Sequence, residues 1–311
     1  MNRQSFITFQ TLVFALVAAA LTTVYITQPV LPVIQHEFGV NPSQASYTVS
    51  AVILGIALAN LPFGMLADRF PIQRLILVGG AVVAACGLFC AVTSSLALLV
   101  GARFIQGLFV PALTTCLAAY LSTNLPLERL NVAMGSYVSA TVAGGLGGRL
   151  LGGWIHPPLH WRYAFITASL LVVAATLAAV RWLPRGKLSR ESDEAAEGFL
   201  ALLAQPELRR AFHVAFGGFV VFSSIFNYLP FYLHLPPFNA STEFITLLYL
   251  SYIVGIFIGP LAGQASNRIG NGGTMVLGSL IFALAIALTL IKSILAIGLA
   301  LVLVCAGFFS I

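Results

Sequence analysis

Long apolar stretches, separated by short polar segments, run through almost the whole chain. A helix crosses the roughly 30 Å hydrocarbon core of a membrane with about 20 apolar residues, and these stretches are close to that length. They are continuous rather than alternating, so they predict membrane-spanning helices and exclude a β-barrel. Ten spans are predicted, at residues 9–34, 45–67, 75–95, 97–121, 132–155, 163–183, 210–234, 243–266, 273–291 and 294–311.

The composition agrees with a protein that faces lipid. The chain of 311 residues is 59% hydrophobic and only 8% charged, whereas soluble proteins carry about 25% charged residues. So few charged side chains cannot cover a water-facing surface, which excludes a soluble, disordered or coiled-coil protein. The net charge of +6 does not indicate a nucleic-acid partner, because the basic residues form no dense patch. The partner that the composition implies is the lipid bilayer.

The basic residues are distributed unevenly between the two ends of the predicted spans. With the N-terminus inside, eleven of the 15 Lys and Arg residues fall in cytoplasmic segments and only two, Arg162 and Lys292, in outer segments. Cytoplasmic loops of membrane proteins carry an excess of Lys and Arg. The sequence therefore predicts a cytoplasmic N-terminus. The remaining two, Arg103 and Arg149, lie within spans.

A charged segment after the sixth predicted span divides the chain. It is the longest polar stretch and reads as a solvated cytoplasmic linker. We therefore expect an N-terminal half of six helices at 1–184, a linker at 185–209 and a C-terminal half at 210–311 with four helices. The charged residues of this segment are Arg185, Lys187, Arg190, Glu191, Asp193, Glu194 and Glu197.

One short motif occurs in the second span of each half. The second span reads GMLADR from Gly64 to Arg69, and the eighth reads GQASNR from Gly263 to Arg268. Both match Gly-x-x-x-Asp/Asn-Arg and both end at the predicted cytoplasmic face. Parallel repeats of six helices are a construction found in secondary transporters.

These motifs resemble those of the major facilitator superfamily. The segment GMLADRFPIQR, from Gly64 to Arg74, resembles the family's signature loop between helices two and three, and departs from it at Pro71 and Gln73. Arg103 and Gln106 lie in a segment similar to the family's R-x-x-Q-G motif. The resemblance implies an all-α integral membrane bundle of two pseudo-symmetric six-helix halves, of which the second is incomplete here.

Two further segments resemble bacterial efflux members of the arabinose-efflux and drug–proton antiporter type. Gly144 to Gly153 is similar to the family's antiporter motif, with Arg149 in place of its proline, and YITQPVLP lies in the first span. The resemblance implies a multi-pass protein of a bacterial inner membrane that exports a small organic molecule by alternating access. It also implies protons as the coupling partner, and we expect a monomer.

The resemblance assigns a gating role to the cytoplasmic motif. In the family, this cluster latches the cytoplasmic side while the cavity opens outward, although the charges alone also fit simple topology markers. The candidate gating residues are Gly64, Asp68, Arg69, Arg74, Gly144, Gly148, Arg149, Gly152, Gly263 and Arg268.

Glycines recur every four residues in the fifth and eighth spans, and small residues at this spacing let helices approach closely in lipid. The stripes are Gly144, Gly148 and Gly152, and Gly255, Gly259 and Gly263. We expect the two stripes to form a seam between the halves. The alternative is that each stripe packs within its own half.

The resemblance also implies a cavity lined by helices one, four, seven and ten. Aromatic and hydrogen-bonding side chains on these helices suit a small-molecule pocket, although Tyr25 and Tyr232 also fit interfacial belt positions. Two roles stay open for Arg103: it binds an anionic group of the cargo, or it bonds backbone and Gln side chains of helix one and conveys protonation changes. For Arg149 the alternatives are structural anchoring and gating. The candidate substrate-binding residues are Tyr25, Gln28, Arg103, Gln106, Asn227, Tyr228 and Tyr232.

No Asp or Glu lies within the core of any predicted span. Proton antiporters usually carry a membrane carboxylate that exchanges its proton against cargo. The remaining candidates are Glu37 and Glu243 near the outer face, or His213 near the inner face. Proton coupling therefore rests on the resemblance, and uniport or cation-independent exchange stays open.

The sequence lacks the motifs of ATP-driven pumps and zinc proteases, so we expect no enzyme, no cofactor and no metal site. The four cysteines, Cys86, Cys90, Cys116 and Cys305, lie inside apolar runs, where a thiol behaves as a small hydrophobe.

Ten predicted helices are two fewer than the twelve of the resembled family, and the chain stops within an apolar run. We expect a truncated chain with weak or no transport. The alternative function is a non-transporting membrane scaffold or sensor derived from a transporter.

Overall fold

The computed structural model describes residues 3–184 and 205–310. Within these residues every regular element is helical, which confirms the predicted all-α class. Short 3₁₀ turns lie at Gln28–Val30 and Tyr249–Tyr252. The α-helices are α1 Arg3–Tyr25, α2 Leu31–Phe38, α3 Pro42–Arg69, α4 Ile72–Val92, α5 Leu96–Leu113, α6 Thr115–Asn124, α7 Leu127–Ile155, α8 Arg162–Trp182, α9 Pro206–His234, α10 Thr242–Leu248, α11 Ile253–Leu288 and α12 Ile294–Phe308.

The predicted spans fall largely on helical residues. Among the described residues, six helical segments are long and apolar enough to cross a membrane, and a bent pair on either side of Gly270 brings the count to seven. The count of ten spans therefore stays a prediction. The six segments are Phe6–Phe38, Pro42–Arg69, Ile72–Val92, Leu96–Asn124, Arg162–Trp182 and Leu208–His234.

Local sequence signals explain where several helices begin and end. Asn41 caps α3 because its side-chain oxygen accepts a 2.9 Å bond from the Gln44 backbone N–H, and the Asn41 backbone N–H donates a 3.1 Å bond to the Gln44 side-chain oxygen, which makes a capping box. Gly39 ends α2 in the left-handed conformation, with φ of 63°. Gly270 breaks α11 with φ of 78°, between the eighth and ninth predicted spans.

The chain forms two compact units, Met1–Ala195 and Ala196–Ile311. The first contains α1 to α8. In this unit α1 packs against α7 and α8, α3 against α5, and α4 against α5 and α8. The predicted linker 185–209 lies, from residue 185 to 204, outside the described residues.

Close helix approach in the first unit depends on glycine. A methyl group on Gly107 would overlap the carbonyl oxygen of Val52, and one on Gly55 would lie 2.5 Å from the Phe104 oxygen. These two glycines allow α3 and α5 to cross with their backbones in contact.

The glycine stripe of α7 packs within its own unit. Methyl groups on Gly144, Gly148 and Gly152 would overlap the carbonyl oxygens of Ala18, Thr22 and Ile26 in the first span. The prediction that this stripe forms a seam between the two halves is therefore wrong. The glycine face of α7 already packs against the backbone of the first span. In the second unit, Gly255 faces the ring of Phe309, again within its own unit, while the surroundings of Gly259 and Gly263 lie outside the described residues.

Candidate functional site

The first span is broken in its C-terminal part. Helix α1 ends at Tyr25, and the chain continues through the 3₁₀ turn Gln28–Val30 into α2. Pro29 has no N–H to donate and its ring crowds the carbonyl four residues earlier, which favours a break of the helix at this point. The break leaves the carbonyl oxygens of the last turn of α1 without donors from the same helix.

Arg103 on α5 supplies the missing donors. Its Nη1 donates a 2.6 Å bond to the Thr23 oxygen, its Nη2 donates to the Val24 oxygen, and its Nε donates a 2.8 Å bond to the Thr48 oxygen of α3. Its guanidinium carbon also lies 5.6 Å from the ring centroid of Phe165 in α8. One side chain therefore joins the broken end of α1 to three other helices of the unit.

Gln106, one helical turn after Arg103, extends this network. It accepts a 2.5 Å bond from Arg103 Nη1 and donates a 3.0 Å bond to the Val83 oxygen of α4. Both side chains are 0% exposed. A cargo molecule can therefore contact Arg103 or Gln106 only if the hydrogen bonds between these side chains and the surrounding helices break.

A second buried arginine holds the other side of the break. Arg149 on α7 is 2% exposed, its Nε donates a 2.6 Å bond to the Gln28 amide oxygen, and its Nη1 donates a 2.7 Å bond to the Gly145 oxygen. Its guanidinium carbon lies 3.9 Å from the ring centroid of Tyr25. The structure thus brings together Tyr25, Gln28 and Arg149. The Gln groups of helix one were expected around Arg103, but Gln28 bonds Arg149 instead.

A third polar group, centred on the candidate proton carrier Glu37, lies where α2 ends and α8 begins. The carboxylate of Glu37 lies 2.7 Å from Arg162 Nη2 and accepts a 2.5 Å bond from Trp161 Nε1, while His160 Nε2 is 3.6 Å away. Arg162 also donates to the Thr93 oxygen, in the loop between α4 and α5. Glu37 is thus a structural ion-pair partner as well as a candidate proton carrier.

The Gly64–Arg74 motif of the first unit spans the end of α3 and the start of α4. Asp68 is half-buried, and within the described residues no cationic group lies within 4.0 Å of its carboxylate. Arg69 and Arg74 are both exposed. A methyl group on Gly64 would lie 4.0 Å from a Thr115 methyl carbon, so this position is not tightly packed. The grouping of Asp68 with these arginines stays a prediction.

The second unit carries the remaining candidates. Arg268 is exposed in α11, and Gly263 of the same helix has surroundings that lie outside the described residues. On α9, Asn227 is buried, whereas Tyr228 and Tyr232 are exposed, and the Tyr232 hydroxyl donates a 3.4 Å bond to the Thr289 oxygen.

Aromatic rings form a cluster in this unit that the sequence reading missed. Phe222 of α9 stacks on Phe308 with ring centroids 4.1 Å apart, and it lies edge-on to Tyr252 at 5.4 Å. The Tyr249 hydroxyl donates a 3.1 Å bond to the Phe226 oxygen. The four-residue spacing of Phe222 and Phe226 in α9 was the sequence signal for one side of this cluster.

The two remaining candidates for proton coupling lie at helix ends in the second unit. Glu243 is exposed in the first turn of α10. His213 is exposed, and its Nδ1 lies 2.6 Å from the Arg209 oxygen.

Comparison with known proteins identifies relatives over nearly the whole chain. The family model described as Major Facilitator Superfamily matches residues 13–311. An uncharacterized MFS-type transporter of Bacillus subtilis, YybF, is 27% identical over 313 residues, covering 97% of this chain and 76% of the relative. The inner membrane transport protein YnfM of Escherichia coli is 27% identical over 275 residues, covering 86% of this chain and 66% of the relative.

Solved structures agree in fold. A bacterial homolog to the human lysosomal transporter Spinster, inward-facing and unoccupied, superposes with a TM-score of 0.78 at 17% identity, covering 100% of this chain and 74% of that protein. The nucleoside transporter NupG superposes with a TM-score of 0.78 at 12% identity, covering 97% of this chain and 80% of that protein. At these identities the likeness shows the fold alone.

Proposed function

Because the chain belongs to the Major Facilitator Superfamily, we propose that it exports a small organic molecule across a bacterial inner membrane by alternating access, in exchange for protons. Membrane transport, rather than an enzymatic reaction, is the activity that the family and its named transporter relatives indicate. The direction, the cargo and the proton exchange are the parts that we propose.

The broken first span is the observation that carries the proposal. Irregular backbone at membrane depth is tolerated only where it is buried in protein or lines a cavity, and discontinuous helices form substrate sites in secondary transporters. Here the break at Ile26 and Thr27 is held by Arg103 on one side and Arg149 on the other.

The candidate residues then have distinct proposed roles. Arg103 and Gln106 position the break, because their polar atoms bond protein groups and both are fully buried. Tyr25 contacts the cargo, and Gln28 is the side chain that the cargo displaces when it binds. On the second unit, the proposed cargo contacts are Asn227, Tyr228 and Tyr232.

We propose that the cytoplasmic motif gates the transporter. Asp68 is only half-buried and lies at the C-terminal end of α3, where a carboxylate is disfavoured by the helix dipole and benefits from a cationic partner. The proposed gate comprises Gly64, Asp68, Arg69, Arg74, Gly263 and Arg268. Gly144, Gly148 and Gly152 contribute by fixing α7 against α1.

The proposed topology has the N-terminus and residues 185–209 in the cytoplasm, and we propose that the protein acts as a monomer. The excess of basic residues in the predicted inner segments supports this orientation. Single cysteines introduced at Gln4 and Leu188, in a chain whose four native cysteines are replaced, should react with impermeant thiol reagents only in inverted vesicles. Labelling of the two positions from opposite sides would contradict the topology.

Transport itself is tested in liposomes that contain the purified chain and a pH-sensitive dye. A panel of organic cations, neutral sugars and organic anions is supplied in turn, and substrate-dependent proton movement is recorded against protein-free liposomes. The proposal expects saturable proton movement with at least one class. Substrate movement without proton movement would remove antiport, and no movement with any class would favour the non-transporting alternative.

A further inference from the structure

The charges inside the predicted spans all have one sign. The nine acidic residues of the sequence lie between the predicted spans or at the first residue of one, namely Glu37, Asp68, Glu128, Glu191, Asp193, Glu194, Glu197, Glu207 and Glu243. Arg103 and Arg149 lie within spans and are 0% and 2% exposed. Buried charges act at low dielectric, where their fields are strong. The interior of the first unit therefore favours an anion over a cation.

The two arginines differ in how their donors are used. Arg103 donates to the backbone oxygens of Thr23, Val24 and Thr48 and to the Gln106 amide oxygen, so three of these four bonds go to the helical framework. Arg149 donates to the Gly145 backbone oxygen and, through Nε, to a movable acceptor, the side-chain amide oxygen of Gln28. An amide oxygen on a side chain can rotate away, whereas a backbone oxygen cannot.

The space around Arg149 is formed by small and planar groups. A methyl group on Gly145 would be in van der Waals contact with Arg149 Nη1 at 3.4 Å and with a ring carbon of Tyr25 at 3.6 Å, so the glycine keeps this side of the guanidinium clear of a further side chain. Gln28, Gly145 and Arg149 are buried, and Tyr25 is partly exposed. Tyr25 thus covers the guanidinium at the open side of this cluster.

We propose that Arg149 is the recognition group for a carboxylate-bearing organic anion, which displaces the Gln28 amide from the guanidinium. The proposal rests on the transport function above and specifies its cargo class. An ionised carboxylate forms shorter and stronger bonds with a guanidinium than an amide oxygen does, and it can bind in a bidentate manner. The planar ring of Tyr25 then lies beside the organic part of the anion.

This displacement would also link binding to movement. Gln28 is the first residue of the 3₁₀ turn that follows the break, and its bond to Arg149 ties this part of the first span to α7. Once the anion takes its place, the turn loses that bond, while Arg103 still holds the end of α1. Anion binding therefore removes one tie between this turn and α7.

Three probes of similar size separate the charge classes: benzoate, benzamide and benzamidine are anionic, neutral and cationic at neutral pH. Binding of radiolabelled benzoate to the purified chain in detergent is measured by equilibrium dialysis, with each unlabelled compound as competitor. We expect saturable benzoate binding that benzamide displaces about tenfold less effectively and benzamidine does not displace, in line with the loss of one charge-assisted interaction.

Variants test the residue assignment. Arg149→Gln should lower benzoate affinity about tenfold or more, Arg149→Lys should lower it less, and Gln28→Leu should raise it because the competing acceptor is removed. Arg181→Gln is the matched control, since Arg181 is exposed at the end of α8, and it should bind as the unaltered chain does. Gel filtration verifies that each variant is folded.

Equal displacement by benzamidine, absence of saturable benzoate binding, or unchanged affinity in folded Arg149→Gln would each overturn the inference. The liposome measurement is independent of these results. Benzoate binding without transport would contradict the proposed function and leave the inference intact. Transport of cations by a chain that does not bind benzoate would contradict the inference and leave the proposed function intact.

Discussion

The carboxylate of Glu37 lies 2.7 Å from the guanidinium of Arg162, and this ion pair joins the last turn of α2 to the first residue of α8. The side chains are only 31% and 17% exposed, and Glu37 also accepts the bond from Trp161. The partners are 125 residues apart in the sequence, with α3 to α7 between them, so the pair ties two distant parts of the first unit together.

Glu37→Gln should therefore destabilise the protein while leaving proton coupling intact. Partly buried ion pairs with good geometry contribute more than the 0–1 kcal/mol of exposed pairs, and we expect a loss of about 1–2 kcal/mol. Thermal unfolding in detergent measures it, and a double-mutant cycle with Arg162→Gln isolates the pair. Loss of proton movement in a stable Glu37→Gln protein would instead make Glu37 the proton carrier.

Arg103→Lys should destabilise the first unit strongly although the charge is kept. A lysine has one compact ammonium group and cannot reach the Thr23, Val24 and Thr48 oxygens from the directions that the guanidinium fork uses. Breaking such a buried charged network costs about 3–5 kcal/mol. The loss is measured by thermal unfolding, with Arg181→Lys as the exposed control, and equal stability of the two variants would contradict the role given to Arg103.

The sequence was sufficient for the helices but not for the partners of the two buried arginines. Helical positions follow from apolar length, which is a local property. Arg149 bonds Gln28, a residue 121 positions away. Which side-chain amide lies close enough to bond Arg149 depends on the path of the chain around Pro29. The proline was a visible signal for the break, but the break was not predicted.

The glycine stripe shows a second limit of sequence reasoning. Spacing correctly indicates a face of α7 that allows close approach, but it does not name the neighbour. Here the neighbour is α1, whose carbonyl oxygens lie where the missing methyl groups of Gly144, Gly148 and Gly152 would be. A stripe predicts close contact, and the fold decides with which helix.

Asp68→Asn should lower transport while leaving membrane insertion intact. The substitution keeps the size of the side chain and removes the charge that the proposed gate requires, and Asp68 is only half-buried, so folding should change little. Transport is measured in liposomes, and insertion by the amount of protein in the membrane fraction. Asp68→Glu is the control that keeps the charge, and unchanged transport by Asp68→Asn would remove this residue from the gate.

Gly148→Ala tests whether α1 and α7 must touch through their backbones. A methyl group at Gly148 would overlap the Thr22 oxygen, next to the residues that Arg103 binds. Overpacking of this kind costs about 1–3 kcal/mol. Because the backbone cannot yield without moving α1, we expect lower thermal stability together with weaker transport.

The matched control for that substitution lies in the same helix. Gly135 of α7 is exposed, and a methyl group there meets no atom within 4 Å. Alanine favours a helix over glycine by up to about 1 kcal/mol, so Gly135→Ala should leave stability equal or slightly higher. Opposite signs of the two changes in unfolding temperature, measured in the same detergent, would assign the effect to the α1 contact. A loss of similar size in both variants would instead point to a general sensitivity of α7.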